Sequence, residues 1–338
     1  MRKALAFFLL LALVETAYAD DAVTLWGNYY KERSTRVIEP IATVTKDLPS
    51  DAQVSASYLV DQITSASVAA GVAQDQVFSE YRQEVQVSAK KRFEHLITPG
   101  ALFRFSHEPD YQSIAGGGEL ALALDRDDTV LRLYSQFQDD DVYHRFRPGF
   151  HDKLYTTLAG VGLTQVLLRN LIGGASLEAQ FLHGYIQNPY RMENHPRTRN
   201  RYSVGAWLAY QYEPTRTTGR IAYRFYRDTW QITGHTLELE ATQRILPVLS
   251  GVARFRWYGQ DGAYFDTLSD GFFTTDPKLF PFTSRLYGAE LRWTLAFLDR
   301  TALDAFKESQ IVPSYAYLDQ NNAYGPAHII QLGWYWPY

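Results

Sequence analysis

The chain has 338 residues, with 33 Lys and Arg against 37 Asp and Glu, a formal net charge of −4 and no cysteine. Without cysteine it can be neither a disulfide-stapled secreted domain nor an acylated lipoprotein, and thiolate-zinc and thiol-nucleophile chemistry are excluded. The mildly acidic balance gives no electrostatic case for a nucleic-acid partner or for an anionic membrane surface.

Arg2 and Lys3 precede an apolar run from Ala4 to Val14, and Ala17-Tyr18-Ala19 offers a small-x-small cleavage site. Residues 1–19 therefore read as a secretory signal peptide. No later stretch approaches the roughly twenty apolar residues that a transmembrane helix needs. From residue 23 onward, alternating segments of roughly nine to thirteen residues recur, the length of a tilted membrane strand. The expected spans are 23–33, 36–47, 52–62, 80–91, 101–110, 116–126, 129–139, 153–165, 175–187, 200–213, 217–230, 235–245, 250–260, 283–297, 310–318 and 327–338. The expected architecture is an all-β, transmembrane antiparallel β-barrel of about sixteen strands (fallback about fourteen), a single domain over residues 20–338, with both termini periplasmic.

The connections support that reading. Those following even-numbered strands are mostly short, as at 48–51, 126–128, 167–170, 214–216 and 246–249, whereas 92–100 and 298–309 are longer. Many odd-numbered connections are long: 63–79, 140–152, 188–199 and 261–282. Short turns on one side and long loops on the other are the habit of outer-membrane barrels. The segment 63–79 is open to two readings, a constriction folded into the lumen or a loop lying outside. Alternation is cleanest where Tyr202, Val204, Ala206, Leu208, Tyr210 and Tyr212 oppose Ser203, Gly205, Trp207, Ala209 and Gln211. It recurs where Tyr287, Leu291, Trp293 and Phe297 oppose Glu290 and Arg292. Tyr and Trp near strand ends, Trp230 among them, suit the aromatic girdles of a bilayer. A face that carries the charges must be the inner one, and the apolar face must then meet lipid.

The polar sides of four consecutive strands give a patterned wall: Arg220, Arg224 and Asp228, then Glu238 and Glu240, then Arg254 and Arg256, then Glu290 and Arg292. These residues can line an aqueous path and set a field across it, or brace the lumen as a salt-bridge ladder. The balance of opposite signs favours the brace.

The last strand reads polar (Gln331), glycine (Gly333), aromatic (Trp336) and terminal aromatic (Tyr338). That order resembles the C-terminal assembly signal of bacterial outer-membrane barrels, which implies outer-membrane lipid and the barrel assembly machinery as partners. Three further segments carry a second resemblance: Asp61, Ile63, Thr64, Ala66 and Ser67; Glu80, Tyr81 and Arg82; and Ser106, Glu108, Asp110, Tyr111 and Ser113. They resemble a family of uncharacterised bacterial outer-membrane β-barrels with a Ser-x-Glu-x-Asp-Tyr-x-Ser motif. The resemblance implies the barrel, an outer-membrane location and no established activity. Its members are similar to proteins encoded near flavin-attachment and thioredoxin-like proteins, which implies a periplasmic, redox-type docking partner. The last motif is expected in a loop between strands 101–110 and 116–126. Glu108 and Asp110, with Asp139, Asp140 and Asp141 on the next loop, are a weak Ca²⁺ candidate beside ordinary turn chemistry. No cofactor is expected.

Hydrolysis at the outer rim is the competing class. His107, His144, His151 and His195 fall in the loop regions near Ser106, Asp110 and Asp139. No Gly-x-Ser-x-Gly elbow or His-Glu-x-x-His pair accompanies them, and Gly116-Gly117-Gly118 lacks the lysine of a phosphate loop. The expectation is therefore a non-enzymatic barrel, a narrow passive channel or an envelope scaffold.

Overall fold

The computed structural model describes residues 21–33, 35–65, 78–94, 96–144 and 146–338. The expected signal peptide (residues 1–19) and the stretch 66–77, with Ala66 and Ser67, lie outside the described residues. Sixteen strands pair with their sequence neighbours, and the last pairs with the first, closing an antiparallel barrel. They are β1 (Ala22–Lys31), β2 (Thr35–Leu48), β3 (Ala52–Ser65) and β4 (Phe78–Lys91). Next come β5 (Ile97–Glu108), β6 (Tyr111–Leu124), β7 (Thr129–Tyr143) and β8 (His151–Leu168). The second half runs through β9 (Leu171–Gly184), β10 (Thr198–Tyr212), β11 (Thr217–Asp228) and β12 (Thr233–Leu246). It finishes with β13 (Leu249–Gln260), β14 (Phe282–Thr294), β15 (Gln310–Gln320) and β16 (Ala327–Pro337).

The facing follows from period-two geometry. Phe103, Leu208, Tyr287 and Leu332 stand exposed on the outer surface, each about half accessible, while their neighbours in sequence turn inward. A continuous apolar belt of this kind is stable only against hydrocarbon, because water would leave it unfavourably hydrated. Charges turn inward for the same reason: an Arg or Lys at mid-bilayer costs roughly 2 to 4 kcal/mol.

At the end of the barrel that carries both termini the connections are tight. Asp125, Arg126 and Asp127 take left-handed backbone angles between β6 and β7, a conformation that Asp tolerates better than most residues. The connection 295–309 is the exception. It folds through two 3-10 turns, and its Phe306 packs on Trp334 and Trp336 (ring centroids 5.8 and 5.0 Å). Strand β14 therefore ends at Thr294 rather than at residue 297, because the chain turns to cover the aromatic face of β16.

The seam between β16 and β1 gives packing roles to Gln331 and Gly333, two residues of the expected C-terminal signal. Trp26 lies opposite Gly333, and any Cβ at Gly333 would sit 2.7 Å from its ring. Gln331 bridges the seam, accepting from Ser314 Oγ (3.1 Å) and donating to Asn28 Oδ1 (2.9 Å).

Two expectations about loops are corrected. The motif around Ser106 to Ser113 is not a loop: β5 and β6 meet in a tight hairpin over Pro109 and Asp110, with Glu108 opposite Tyr111 and Ser106 opposite Ser113. The Asp-Tyr turn chemistry shortens the connection and leaves the polar side chains on strands. Trp230, expected in a girdle, is almost wholly buried. Strand β11 stops at Asp228, whose carboxylate accepts from the backbone N–H groups of Trp230 and Ile232 (3.0 Å each) and so pulls the turn 229–232 inward.

Candidate functional site in the lumen

One cavity of about 1790 Å³ runs the length of the barrel, lined by Ser50, Asp51 and Asp127 at the termini end and by Tyr190, Arg191 and Tyr324 at the other. Its wall has three electrostatic regions.

The first is a balanced ladder on β12 to β14. Arg254 Nε donates to Glu240 Oε2 (2.8 Å) and its Nη1 to Glu290 Oε2 (2.9 Å), while Arg292 Nε donates to Glu290 Oε1 (2.7 Å). Arg220 stands 3.9 Å from Glu238. The strands bring these six expected lumen charges together by register: Arg254 lies opposite Glu240, and Arg220 opposite Glu240 one strand back.

The second region is acidic and lies on β2 to β7. Glu39, Asp61, Glu80, Glu84, Glu108, Asp110, Glu119 and Asp140 occupy inward positions beside Arg82, Arg104 and Arg132, with Lys90 nearer the termini end. Arg82 reaches Glu39 and Asp61 at 3.8 Å each, and the Asp61 side chain is wholly buried. Asp140 accepts from Gln138 Nε2 (2.9 Å) and from the Tyr111 hydroxyl. The motif residues Asp61, Ser106, Glu108, Asp110, Tyr111 and Ser113 thus share one patch of the inner wall. The expected Ca²⁺ set does not assemble. Strand alternation sends Asp139 and Asp141 to the outer face, where Lys153 lies 3.0 and 3.3 Å away and His151 is 2.7 Å from Asp141. Among the described residues, the carboxylates close enough to share one hard cation are Glu80, Glu108 and Asp110, with oxygens within 4.8 Å of one another.

The third region is basic and lies on β10, β11 and β13, where Arg199, Arg201, Arg224 and Arg256 point inward. Asp228 is consumed locally. Its Oδ2 accepts from Arg199 Nε (2.8 Å) and Tyr226 OH (2.7 Å), and its Oδ1 from the two backbone groups of the 229–232 turn. The guanidinium of Arg199 also stacks 4.2 Å from the Trp230 ring. Arg199 and Arg201 were not singled out from the sequence, although they continue the inward period of Ser203, Gly205 and Trp207. The expected strand 200–213 starts one residue too late to include Arg199, whereas β10 begins at Thr198.

Above the basic region, the loops 185–197 and 261–281 form a roof. Asn194 and Phe273 bridge them through two backbone hydrogen bonds of 3.0 Å. Leu182, Ile186, Trp230, Ile232, Ala263, Phe265 and Leu279 form the buried core beneath. Arg191 pins the roof to its neighbours, donating to Thr275 O (2.7 Å) and Tyr324 OH (2.8 Å). Glu193 and His195 lie 3.4 Å apart, with the imidazole between the Trp230 and Phe265 rings (5.2 and 5.3 Å). Burial, partly offset by Asp276, pushes the Lys278 ammonium below the ordinary lysine range.

The four histidines of the hydrolase expectation fall apart. His107 is exposed on the outer face, opposite in facing to Ser106. His144 packs on Tyr190 (4.6 Å), His151 binds Asp141, and His195 is enclosed in the roof.

Comparison with known proteins agrees with this architecture. Residues 132–284 match the model of a family described as a protein of unknown function, DUF3570. That match takes in β8 to β13, hence the roof and the basic wall, while the motif residues between 61 and 113 lie outside it. No curated protein matches the sequence. Among solved structures, the chain is similar to CdiB from Acinetobacter baumannii (TM-score 0.57, 9% identity, 95% of this chain and 61% of CdiB). It therefore spans about three fifths of the length of CdiB. It is also similar to a BenF-like porin from Pseudomonas fluorescens Pf-5 (0.51, 7% identity, 94% and 98%). The outer membrane protein OpdK from Pseudomonas aeruginosa gives 0.50 at 9% identity, over 95% and 99%. These likenesses are of fold: the chain is a sixteen-stranded barrel of the outer-membrane type.

Proposed function

We propose that the protein is a narrow passive channel of the bacterial outer membrane, with both termini on the periplasmic side. The observation that carries this reading is a cavity whose lining, among the described residues, includes the turns at one end and the loops at the other. In a sixteen-strand barrel, β3 to β5 stand across the lumen from β11 to β13, so the acidic and basic walls face each other. Such a pair of walls sets a field across the path and favours small polar solutes that can orient in it. The roof and the inward side chains narrow the path, which suits small solutes rather than folded cargo. The ladder on β12 to β14 supports a bracing role for that part of the wall, so structure and permeation divide the lumen between them.

Purified protein reconstituted in planar bilayers is expected to give small, discrete current steps. A flat trace from correctly inserted barrels would overturn the channel and leave a scaffold.

A further inference from the structure

We propose that the basic wall beneath the roof is a binding site for a small oxyanion, a solute bearing a carboxylate or phosphate group, held by Arg201 and Arg224 with Arg256 beside them. The inference rests on the lumen being open to solute, as proposed above.

The argument is one of unmatched charge. Arg199, Arg201, Arg220, Arg224 and Arg256 share this part of the wall with Asp228 and Glu238, while Glu240, opposite Arg220, is also bonded to Arg254, and Glu178 on the next strand accepts from Tyr134. Asp228 lies opposite Arg201 in the β10–β11 register, yet its five hydrogen bonds come from Arg199, Tyr226 and the 229–232 turn. Arg201 is left with Gln180, to which Nη1 donates at 2.8 Å, while its buried Nε has no hydrogen-bond partner among the described residues. The charged groups that act on it are a like charge, Arg199, and Asp228, already engaged by Arg199. Glu238 lies opposite Arg256 but is also the carboxylate nearest Arg220, so two guanidiniums divide one acid.

Arg224 carries the point furthest. It lines the cavity, and it makes no hydrogen bond or ion pair among the described residues. Its register neighbours are Gly205 and Thr236, neither of which can neutralise it. Its electrostatic neighbours are Arg256 and Tyr258. The Tyr258 hydroxyl already donates to Gln260, whose amide is held by Lys278 O and Phe280 O (2.8 and 3.0 Å). Like-charged guanidiniums in a partly dehydrated wall repel one another, and an anion held among them offsets that repulsion. The planar fork of arginine matches the oxygen pair of a carboxylate or a phosphate. The roof above, with Ile232, Leu182 and Leu279 facing the cavity, removes competing water from one side.

The test measures binding directly, so that it does not depend on conduction. Full-length protein in detergent at low salt is titrated calorimetrically with succinate and, separately, with inorganic phosphate. Saturable binding of either anion is expected, with affinity falling at least tenfold in Arg224→Gln and in Arg201→Gln. Arg227→Gln removes the same charge from the outer face of β11 and is expected to leave binding as it is. Binding of only one of the two anions assigns the site to that oxyanion. Absence of saturable binding of both, or affinity equal in Arg224→Gln and wild type, overturns the site even if the bilayer steps are normal. Binding that persists in a protein giving a flat trace removes the channel and keeps the site.

Discussion

The acidic wall on β2 to β7 and the basic wall on β10, β11 and β13 rest on the same backbone, yet they handle surplus charge differently. On the acidic side, carboxylates are tucked away: Asp61 and Asp140 are wholly buried, and Glu80 and Asp110 nearly so. On the basic side Arg199 is buried against Asp228 and Trp230, whereas Arg201, Arg224 and Arg256 line the cavity on long stems. Side-chain length accounts for the contrast. A short Asp lies close to the sheet, where Asp140 takes hydrogen bonds from Tyr111 and Gln138, whereas Arg reaches past its neighbours toward the axis. The lumen therefore presents guanidiniums to a passing solute and withholds many of its carboxylates.

The largest expected effect breaks the support over the basic wall. Trp230 fills the roof core against Phe265 (5.0 Å) and holds Thr198 O through its indole N–H (2.9 Å). Trp230→Ala is expected to destabilise the roof by about 3–5 kcal/mol. Hydrogen exchange over 185–197 and 261–281 should then accelerate strongly while the strands stay protected. Exchange unchanged in those loops would show that the roof does not depend on this core.

Glu290→Gln tests the balanced ladder that separates the walls. It leaves Arg254 with Glu240 alone and takes from Arg292 its ion pair with Glu290. The loss from breaking such a largely buried pair is about 3 kcal/mol, read as a lower thermal midpoint of the detergent-solubilised barrel. A midpoint equal to wild type would mean that the ladder does not brace the barrel.

Reversing the basic wall sharpens the comparison functionally. Arg201→Glu with Arg224→Glu is expected to shift the anion-to-cation permeability ratio by about tenfold toward cations, measured from reversal potentials under a salt gradient. A matched Asp110→Asn change on the acidic wall should shift it less and in the opposite direction, because that carboxylate is nearly buried. Equal shifts would contradict the contrast drawn between the walls.

The smallest effect is expected at Asp61. Neither of its oxygens accepts a hydrogen bond among the described residues, and Arg82 is 3.8 Å away. Asp61→Asn removes a desolvated charge along with one weak ion pair, so stability should change by less than about 1 kcal/mol. A loss of several kcal/mol would mark the Arg82 pair as a main support of that wall.

Much of this was legible in the sequence. Hydrophobic alternation gave sixteen strands, and Val204, Leu208, Tyr287 and Leu291 were assigned to the lipid face because lipid and lumen impose opposite polarity at every second residue. Gln331 and Gly333 were picked out as special, and the seam supplies their packing. The site was less legible. Arg254 with Glu240 and Glu290 could be anticipated from neighbouring strands, whereas the retention of Asp228 by a turn, and hence the isolation of Arg201, could not.

The sequence by itself determined the closed barrel and the facing of its side chains, since both follow from a period of two and the cost of a charge in hydrocarbon. Only the tertiary structure decided that β5 and β6 meet in a tight hairpin, that Asp139 and Asp141 leave Asp140 on the far side of the sheet, and that two distant loops close over Trp230. Those outcomes depend on the register between strands and on contacts between segments far apart in the chain, such as Asn194 with Phe273. Local alternation carries no information about which partner lies across the lumen.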